Sequence, residues 1–369
     1  MLERMNRYMD LVKNKSILLR DLEQLLNDKS IDWENFRNKR ILITGATGLV
    51  GSMIIRSLLY VDAKLGLGIE LIAVIRNEKK AESIYKDYQN DKRLYFVQMD
   101  LSQEIDLNTI HGKIDYVIHA AAVTASKEMV TNPVGTINSA ILGTKNMLEL
   151  AVRKKCKGFV YISSMEIYGQ TISPECTREE DLGYVDISSV RSCYPEGKRM
   201  CECMCNSYVS QFGINVKSAR LAQTFGAGVL KSENRVFAQF AKSALKQEDI
   251  VLHTFGKSEG NYVYTIDAVK AILMLLYKGK SGEAYNIVNE ENHTTIRDMA
   301  ELVINILADG KSKVVIDVPK DKNKFGYAPD VKMRLCAEKM NKLGWKASVN
   351  LKEAYLRLAE WMKESDMVN

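Results

Sequence analysis

Along this chain, short apolar runs alternate with longer stretches in which apolar residues recur every three to four positions. The short runs are ILIT (41–44), LIAVI (71–75), LYFVQM (94–99), DYVIHAAA (115–122), GFVYISS (158–164) and NVKSARL (215–221). Runs this short and apolar read as strands buried on both faces, and helices between them imply a parallel sheet covered on both sides. Two of those helices are legible, Leu49 to Val61 and Asn132 to Ala151; Pro133 stands near the first turn of the second, where its missing N–H costs little. The expected fold class is α/β, with a doubly wound parallel sheet.

Residues 1–37 read as a helical extension: Ser16 can cap a run in which Ile17, Leu18, Leu22, Leu25 and Leu26 form a stripe that needs a surface to pack on. Beyond residue 222 the rhythm loosens. A helix near Arg235 to Leu245, short strands at IVLHT and NYVYT, a helix from Ile266 to Lys278, a strand EAYNIV, a helix from Ile296 to Ile306 and a last helix after Asn350 predict a smaller α/β lobe over 223–369, with some segments returning to the domain of 38–222. There are five prolines, and neither a low-complexity linker nor an internal repeat separates the halves.

Composition narrows the function. Hydrophobic residues make up 46% and charged residues 27% of the 369, which excludes a disordered or fibrous chain. The net charge of +6 is interspersed with acids, so no footprint for nucleic acid or membrane is present. No run approaches the ~18 apolar residues of a membrane span, and the start is too charged for a secretory signal, so a cytoplasmic protein is expected. Seven cysteines are an odd count, and Cys201, Cys203 and Cys205 alternate around a helix; reduced thiols are expected, with neither a metal site nor a disulfide framework.

The first strand runs into Thr44-Gly45-Ala46-Thr47-Gly48-Leu49-Val50-Gly51 and then an apolar helix. In that context Gly45 permits a tight turn, Gly48 lets backbone N–H groups approach a pyrophosphate, and Gly51 lets helix and strand pack closely, with a diphosphate at the helix N-terminus. This predicts dinucleotide binding. The end of the second strand offers Arg76 where an acid commonly meets the ribose 2′-OH; Arg76 suits a 2′-phosphate or stacks on adenine, so NAD and NADP both stand.

TGATGLVG, HAAA (119–122), SSMEIYG (163–169), YPEGK (194–198) and LGW (343–345), in this order, resemble the extended short-chain dehydrogenase/reductase superfamily, the NAD-dependent epimerases and dehydratases, over roughly residues 38–362. The resemblance implies a Rossmann-like sheet, a bound NAD or NADP, and a homodimer paired through two helices, one of them carrying Met200 and Met204. It places Asp100 and Leu101 beside the adenine, Ala120, Ala121 and Ala122 along the cofactor, Asn138 in the helix behind the active site, and Thr124, Gln223 and Arg235 toward a nucleotide-diphosphate sugar.

Tyr194 and Lys198 are four apart, so both project from one helix face; an ammonium beside a phenol favours the phenolate, which makes Tyr194 a base. Ser164 would hydrogen-bond the same substrate oxygen, and Glu166 offers a second proton-transfer group. These groups support oxidation of a secondary alcohol, in such families the sugar C4 hydroxyl, followed by epimerisation, dehydration or decarboxylation. SCYPEGKRMCE (192–202) and NRVFAQF (234–240) are similar to segments of UDP-glucuronate decarboxylases, with Arg235 on the nucleotide or its diphosphate. Four places depart from that pattern: Met165 replaces Ser or Asp, Gln223 replaces Asn, Gly260 replaces an arginine, and the basic residue expected before APD (328–330) is missing near Tyr327. Lys231, Lys257 and Arg334 are candidate substitutes. The expected function is modification of a sugar nucleotide, in the setting of polysaccharide assembly, with an NADPH-dependent 4-keto reductase and a non-enzymatic dinucleotide sensor as alternatives.

Overall fold

The computed structural model describes residues 16–171, 176–318 and 332–367. Seven parallel strands form the central sheet: β1 (Arg40–Thr44), β2 (Glu70–Ile75), β3 (Leu94–Gln98), β4 (Tyr116–His119), β5 (Gly158–Ser164), β6 (Val216–Leu221) and β10 (Ala284–Ile287), in the order β10-β6-β5-β4-β1-β2-β3. The six apolar runs are the first six of these strands. DYVIHAAA yields a strand only to His119, because Ala120–Ala122 leave the sheet as it opens toward the site. Chain order reverses between β1 and β4, the position at which doubly wound sheets receive ligands beyond their carboxyl ends.

Helices α2 (Leu49–Leu65), α3 (Pro133–Lys154) and α4 (Cys193–Phe212) cover the sheet, with α3 and α4 packed together. Pro133 is the first residue of α3, and Asn132 caps it by accepting from Gly135 N–H. Helix α1 (Ile17–Leu26) starts where Ser16 accepts from Leu19 N–H. It packs on α2, on the C-terminal helix and on the helix that begins at Thr265: buried Asp21 accepts from Tyr264 Oη at 2.7 Å and from Arg357 Nη1 at 2.8 Å.

The second half holds β7 (Gln223–Phe225), α5 (Val236–Leu245), β8 (Ile250–Leu252), β9 (Glu259–Tyr264), α6 (Thr265–Tyr277), β11 (Asn289–Thr295), α7 (Ile296–Leu307), β12 (Val314–Ile316) and α8 (Leu351–Glu364). β11, β9 and β7 form one small sheet, and β12 pairs with β8. β10 and α6 return to the main sheet, β10 by pairing with β6 and α6 by packing on β5 and β6. The polar run Asn289–Thr295 has no strand-like apolar alternation and takes its extended form from pairing with β9.

The cysteines correct one expectation. Cys201 and Cys205 are buried on one side of α4 and Cys203 is exposed on the other, as their spacing predicts, but Cys176 and Cys336 are joined as a disulfide. Spacing rules could not reveal it, because the partners are 160 residues apart in sequence. Among the described residues, no cluster of His, Cys, Asp or Glu is arranged to hold a metal, and no helix is long and apolar enough to cross a membrane.

Candidate active site

The glycine-rich turn between β1 and α2 is fixed from three sides. Gly45 has φ +65°, and a Cβ there would lie 2.5 Å from the Ala120 carbonyl oxygen, so this position needs glycine for conformation and for space. A Cβ on Gly51 would lie 2.4 Å from the Gly45 oxygen; the close packing is between α2 and the turn itself. Below it, buried Tyr85 donates to the Ala46 carbonyl at 2.5 Å. Gly48 is the N-cap of α2 and supplies no side-chain cap, leaving first-turn N–H groups, with those of Leu49 and Val50 among them, at the positive end of the helix. An anionic diphosphate fits this cradle.

Thr44 joins that turn to the end of β4. Its hydroxyl accepts from Ala121 N–H at 3.0 Å and meets His119 Nδ1 at 2.7 Å, while His119 Nε2 lies 3.3 Å from Thr144 Oγ1 on α3. Burial, and after it the positive charge of Lys198, pushes His119 down to about 3, so the ring is neutral and structural at ordinary pH. Ala120, Ala121 and Ala122 are partly exposed here, as expected of residues lining a cleft, and Thr47 is partly exposed in the turn.

Ser164 ends β5 and caps the 3-10 turn Met165–Tyr168 by accepting from Glu166 N–H at 3.2 Å. Tyr194 and Lys198 lie in the first turns of α4, and Ser164 stands close enough to Tyr194 to lower its phenol. Buried Lys198 donates to the Ile162 carbonyl at 2.6 Å, and its Nζ is 5.8 Å from the Tyr194 ring centre. Ser164, Glu166, Tyr194 and Lys198 thus converge at the carboxyl end of the sheet.

Burial dominates the electrostatics of the Tyr194–Lys198 pair. Burial, with Glu166 adding to it, pushes the Tyr194 phenol up to about 12; Ser164, Arg191 and Arg235 pull in the other direction. Burial also pushes Lys198 down to about 8. Desolvation disfavours the charged form of each group.

Sequence reasoning missed Arg191. In the short turn Val190–Ser192 leading into α4, its Nη2 holds both Glu166 oxygens, at 3.1 and 2.8 Å, and its guanidinium lies 5.6 Å from the Tyr194 ring centre. Nη1 is buried without a partner among the described residues. The available signal was a cation three residues before a catalytic-type tyrosine.

Other expected residues are placed as follows. Arg235 is the N-cap of α5, paired with Glu233 through its Nη2 at 2.7 Å and close enough to act on Tyr194. Gln223 is partly exposed at the start of β7. Thr124 is exposed, and Asn138 lies on the exposed face of α3; it is Ala140, two residues on, that faces α4 and accepts from Cys201 Sγ. Arg76 and Asp100 are exposed at the ends of β2 and β3, where Arg76 helps hold the Asp100 carboxyl low, after its hydrogen bonds from Ser102; Leu101 is buried.

The departures have physical forms. Met165 is buried in the core. Gly260 is buried in β9, and a Cβ there would meet the ring of Tyr262 at 2.9 Å, so that ring occupies the direction an arginine would take. Lys231 donates to the Asp366 carbonyl, and Lys257 and Arg334 are exposed; none is the cation beside Glu166. The APD segment and Tyr327 lie outside the described residues.

A family model described as NAD dependent epimerase/dehydratase family matches residues 41–288, more than half of the chain. UDP-glucuronic acid decarboxylase 6 of Arabidopsis thaliana is 28% identical over 317 residues, covering 86% of each chain. Among solved structures, UDP-glucose 4-epimerase of Thermotoga maritima, crystallised with UDP-glucose, superposes with a TM-score of 0.74 at 23% identity, covering 88% of this chain and 99% of its own. The WbmF enzyme of Bordetella bronchiseptica, in complex with NADH, gives 0.71 at 19% identity, over 91% and 95%. These structures share the fold, the family's cofactor is NAD, and the matched span contains the glycine-rich turn, Ser164, Tyr194 and Lys198. The chain is an enzyme of the NAD-dependent epimerase/dehydratase family.

Proposed function

We propose that this enzyme oxidises a nucleotide-diphosphate sugar at C4 and that the resulting 4-ketone sets up loss of the C6 carboxylate of a uronic acid. One observation carries the reading: Arg191, which holds both Glu166 oxygens, lies over the Tyr194 ring, so the second carboxylate stands in the same site as Ser164, Tyr194 and Lys198. Bound NAD supplies the hydride acceptor. Tyr194 takes the C4 hydroxyl proton, Ser164 orients that oxygen, and the buried Lys198 ammonium favours the phenolate once positive charge adds to its own. Arg191 supplies the cation that position 260 lacks, and Glu166, held by it, is placed for the second proton transfer. The first-turn amides of α2 would hold the diphosphate of the cofactor, and Arg76, Asp100 and Leu101 would serve its adenosine end; Arg235, Gln223 and Thr124 would take the sugar nucleotide.

Exposed Val134, Ile137 and Met200 on α3 and α4 make that helix pair the surface on which a second copy would dock. The test is incubation of the purified protein with UDP-glucuronate and a panel of UDP-, dTDP-, CDP- and GDP-sugars, read by product mass. Loss of carbon dioxide from a uronic acid supports the reading, with Tyr194→Phe lowering the rate by about 10²–10⁴-fold while NAD affinity holds. Loss of water or an isomer of unchanged mass would keep C4 oxidation and overturn decarboxylation. Turnover only with NADPH and a 4-keto sugar would overturn both.

A further inference from the structure

The Cys176–Cys336 bond joins two segments that the proposed chemistry does not use. Their Cα atoms are 5.6 Å apart, and the adjoining backbones pair as well: Thr177 N–H donates to the Arg334 carbonyl at 2.6 Å and Cys336 N–H to the Thr177 carbonyl at 3.1 Å. The Cys336 side is fixed to the smaller lobe. Asn261 on β9 donates to the Met333 carbonyl and accepts from Leu335 N–H, and Glu290 accepts from Ala337 N–H at 2.6 Å.

The Cys176 side leads to the active site. The Thr177 carbonyl also accepts from Asn286 Nδ2 at 3.2 Å, and Asn286 Oδ1 accepts from Tyr168 Oη at 2.6 Å. Tyr168 ends the 3-10 turn that carries Glu166. The same Tyr168 oxygen accepts from Arg220 at 2.9 Å, and Arg220 holds Glu202 on α4, one turn beyond Lys198, at 2.7 Å. Thr177, Asn286, Tyr168, Arg220 and Glu202 are all buried, so each needs its partner and the chain transmits position. Cys176 is partly exposed, and a groove of about 550 Å³ opens against the bond, lined by Arg178 and Lys342, both paired with Glu338, and by Glu290 and Asn341. A small thiol therefore has access to the bond.

We propose that Cys176–Cys336 is a reversible redox latch that fastens the turn carrying Glu166 and the helix carrying Tyr194 to the smaller lobe. The exchanging partner is a small thiol of the glutathione class. Its thiolate attacks one sulfur, the S–S bond breaks and the other cysteine leaves as a thiolate. A second thiol then attacks the mixed disulfide and frees the first cysteine. Two small thiols become one small disulfide, and their two electrons and two protons end on Cys176 and Cys336. Reduction removes the covalent end of the chain and leaves Thr177 and Cys336 held by backbone pairing alone.

The test uses the whole protein equilibrated in buffers of reduced and oxidised glutathione. Alkylation followed by peptide mass is expected to show Cys176 and Cys336 blocked together under oxidising conditions and labelled together under reducing ones, with surface Cys203 as the internal control. Hydrogen exchange at the Thr177 and Cys336 amides is expected to quicken about tenfold on reduction. A Cys176→Ser variant should exchange at the reduced rate in every buffer, and comparing the two redox states of the unmodified chain needs no variant at all. Labelling of both cysteines under oxidising conditions would overturn the proposal. So would a bond that resists glutathione in the folded protein, or exchange rates equal in the two states. None of these readouts depends on the substrate, so failure of the C4-oxidation reading would leave them standing.

Discussion

The glycine-rich turn allows a graded test. Replacing Gly51 by alanine puts a Cβ 2.4 Å from the Gly45 oxygen and 2.9 Å from its carbon. Ordinary contact begins near 3.4 Å, so about 1 Å must be recovered, and both obstructing atoms are backbone. Nothing can rotate away; the Gly45 turn or the start of α2 must move. Overpacking of this kind costs about 1–3 kcal/mol. Gly45 is itself pinned against Ala120, so the displacement falls on the first-turn amides proposed to hold the diphosphate. At ~1.4 kcal/mol per factor of ten, NAD affinity should fall roughly ten- to hundredfold. Gly48→Ala is the control within the same turn. Its Cβ would lie 3.2 Å from the Gly45 oxygen, which a shift of a few tenths of an ångström relieves, and its φ of −87° suits alanine. The protein itself therefore accommodates Gly48→Ala, and its thermal unfolding should change by less than that of Gly51→Ala. The assay is calorimetric titration of NAD into protein freed of co-purified dinucleotide, with thermal unfolding alongside to separate a local effect from a global one. A Gly51→Ala protein that binds as the unmodified chain does, or a Gly48→Ala protein that is destabilised more than Gly51→Ala, would refute the cradle argument.

Two predictions concern stability. Arg220→Met leaves Glu202 buried without its cation and removes a donor to Tyr168; breaking a buried pair from one side costs about 3–5 kcal/mol, so the melting temperature should drop on the order of 10 °C, and an unchanged value would remove Arg220 from the buried chain. Asp21 is fully buried and pushed up to about 6, chiefly by burial and against the pull of Tyr264 and Arg357. Its native form binds a proton more tightly than the unfolded chain, whose value is 3.8, so this contribution is complete below pH 4 and lost as pH rises through 6. A difference of about two pH units is worth about 3 kcal/mol. Denaturant unfolding between pH 4 and 7 should show the decline in the unmodified protein and a flatter curve in Asp21→Asn; equal slopes would refute it.

Much of this architecture was legible because its causes are local. Each apolar run was long enough for one strand, and the caps Ser16, Asn132 and Asn350 all do as their side chains suggest. The features that spacing did not reveal all depend on residues distant in sequence. β11 is polar and extended only because β9 lies beside it, and α1 found its surface on α2 and α8 through an aspartate that no amphipathic stripe would bury. Cys176 needed Cys336, and Glu166 needed Arg191, 25 residues on, before either could be interpreted.

The Tyr194–Lys198 pair shows how the same limit reaches chemistry. Four-residue spacing correctly puts both groups on one face of α4, and from that the attraction between ammonium and phenolate follows. Spacing carries no information about the β5 backbone, whose Ile162 carbonyl accepts a hydrogen bond from the lysine at 2.6 Å, or about the burial that moves both groups toward their neutral forms. Burial raises the Tyr194 phenol to about 12, with the Glu166 carboxylate adding to it and Arg191 and Arg235 opposing it. Arg191 controls that carboxylate through both of its oxygens, and the buried chain from Thr177 through Tyr168 controls the turn on which it stands. Glu166 is the charge that raises Tyr194 and Arg191 one of those that lower it, so the proposed base answers to residues of the held turn as well as to Lys198, four residues on.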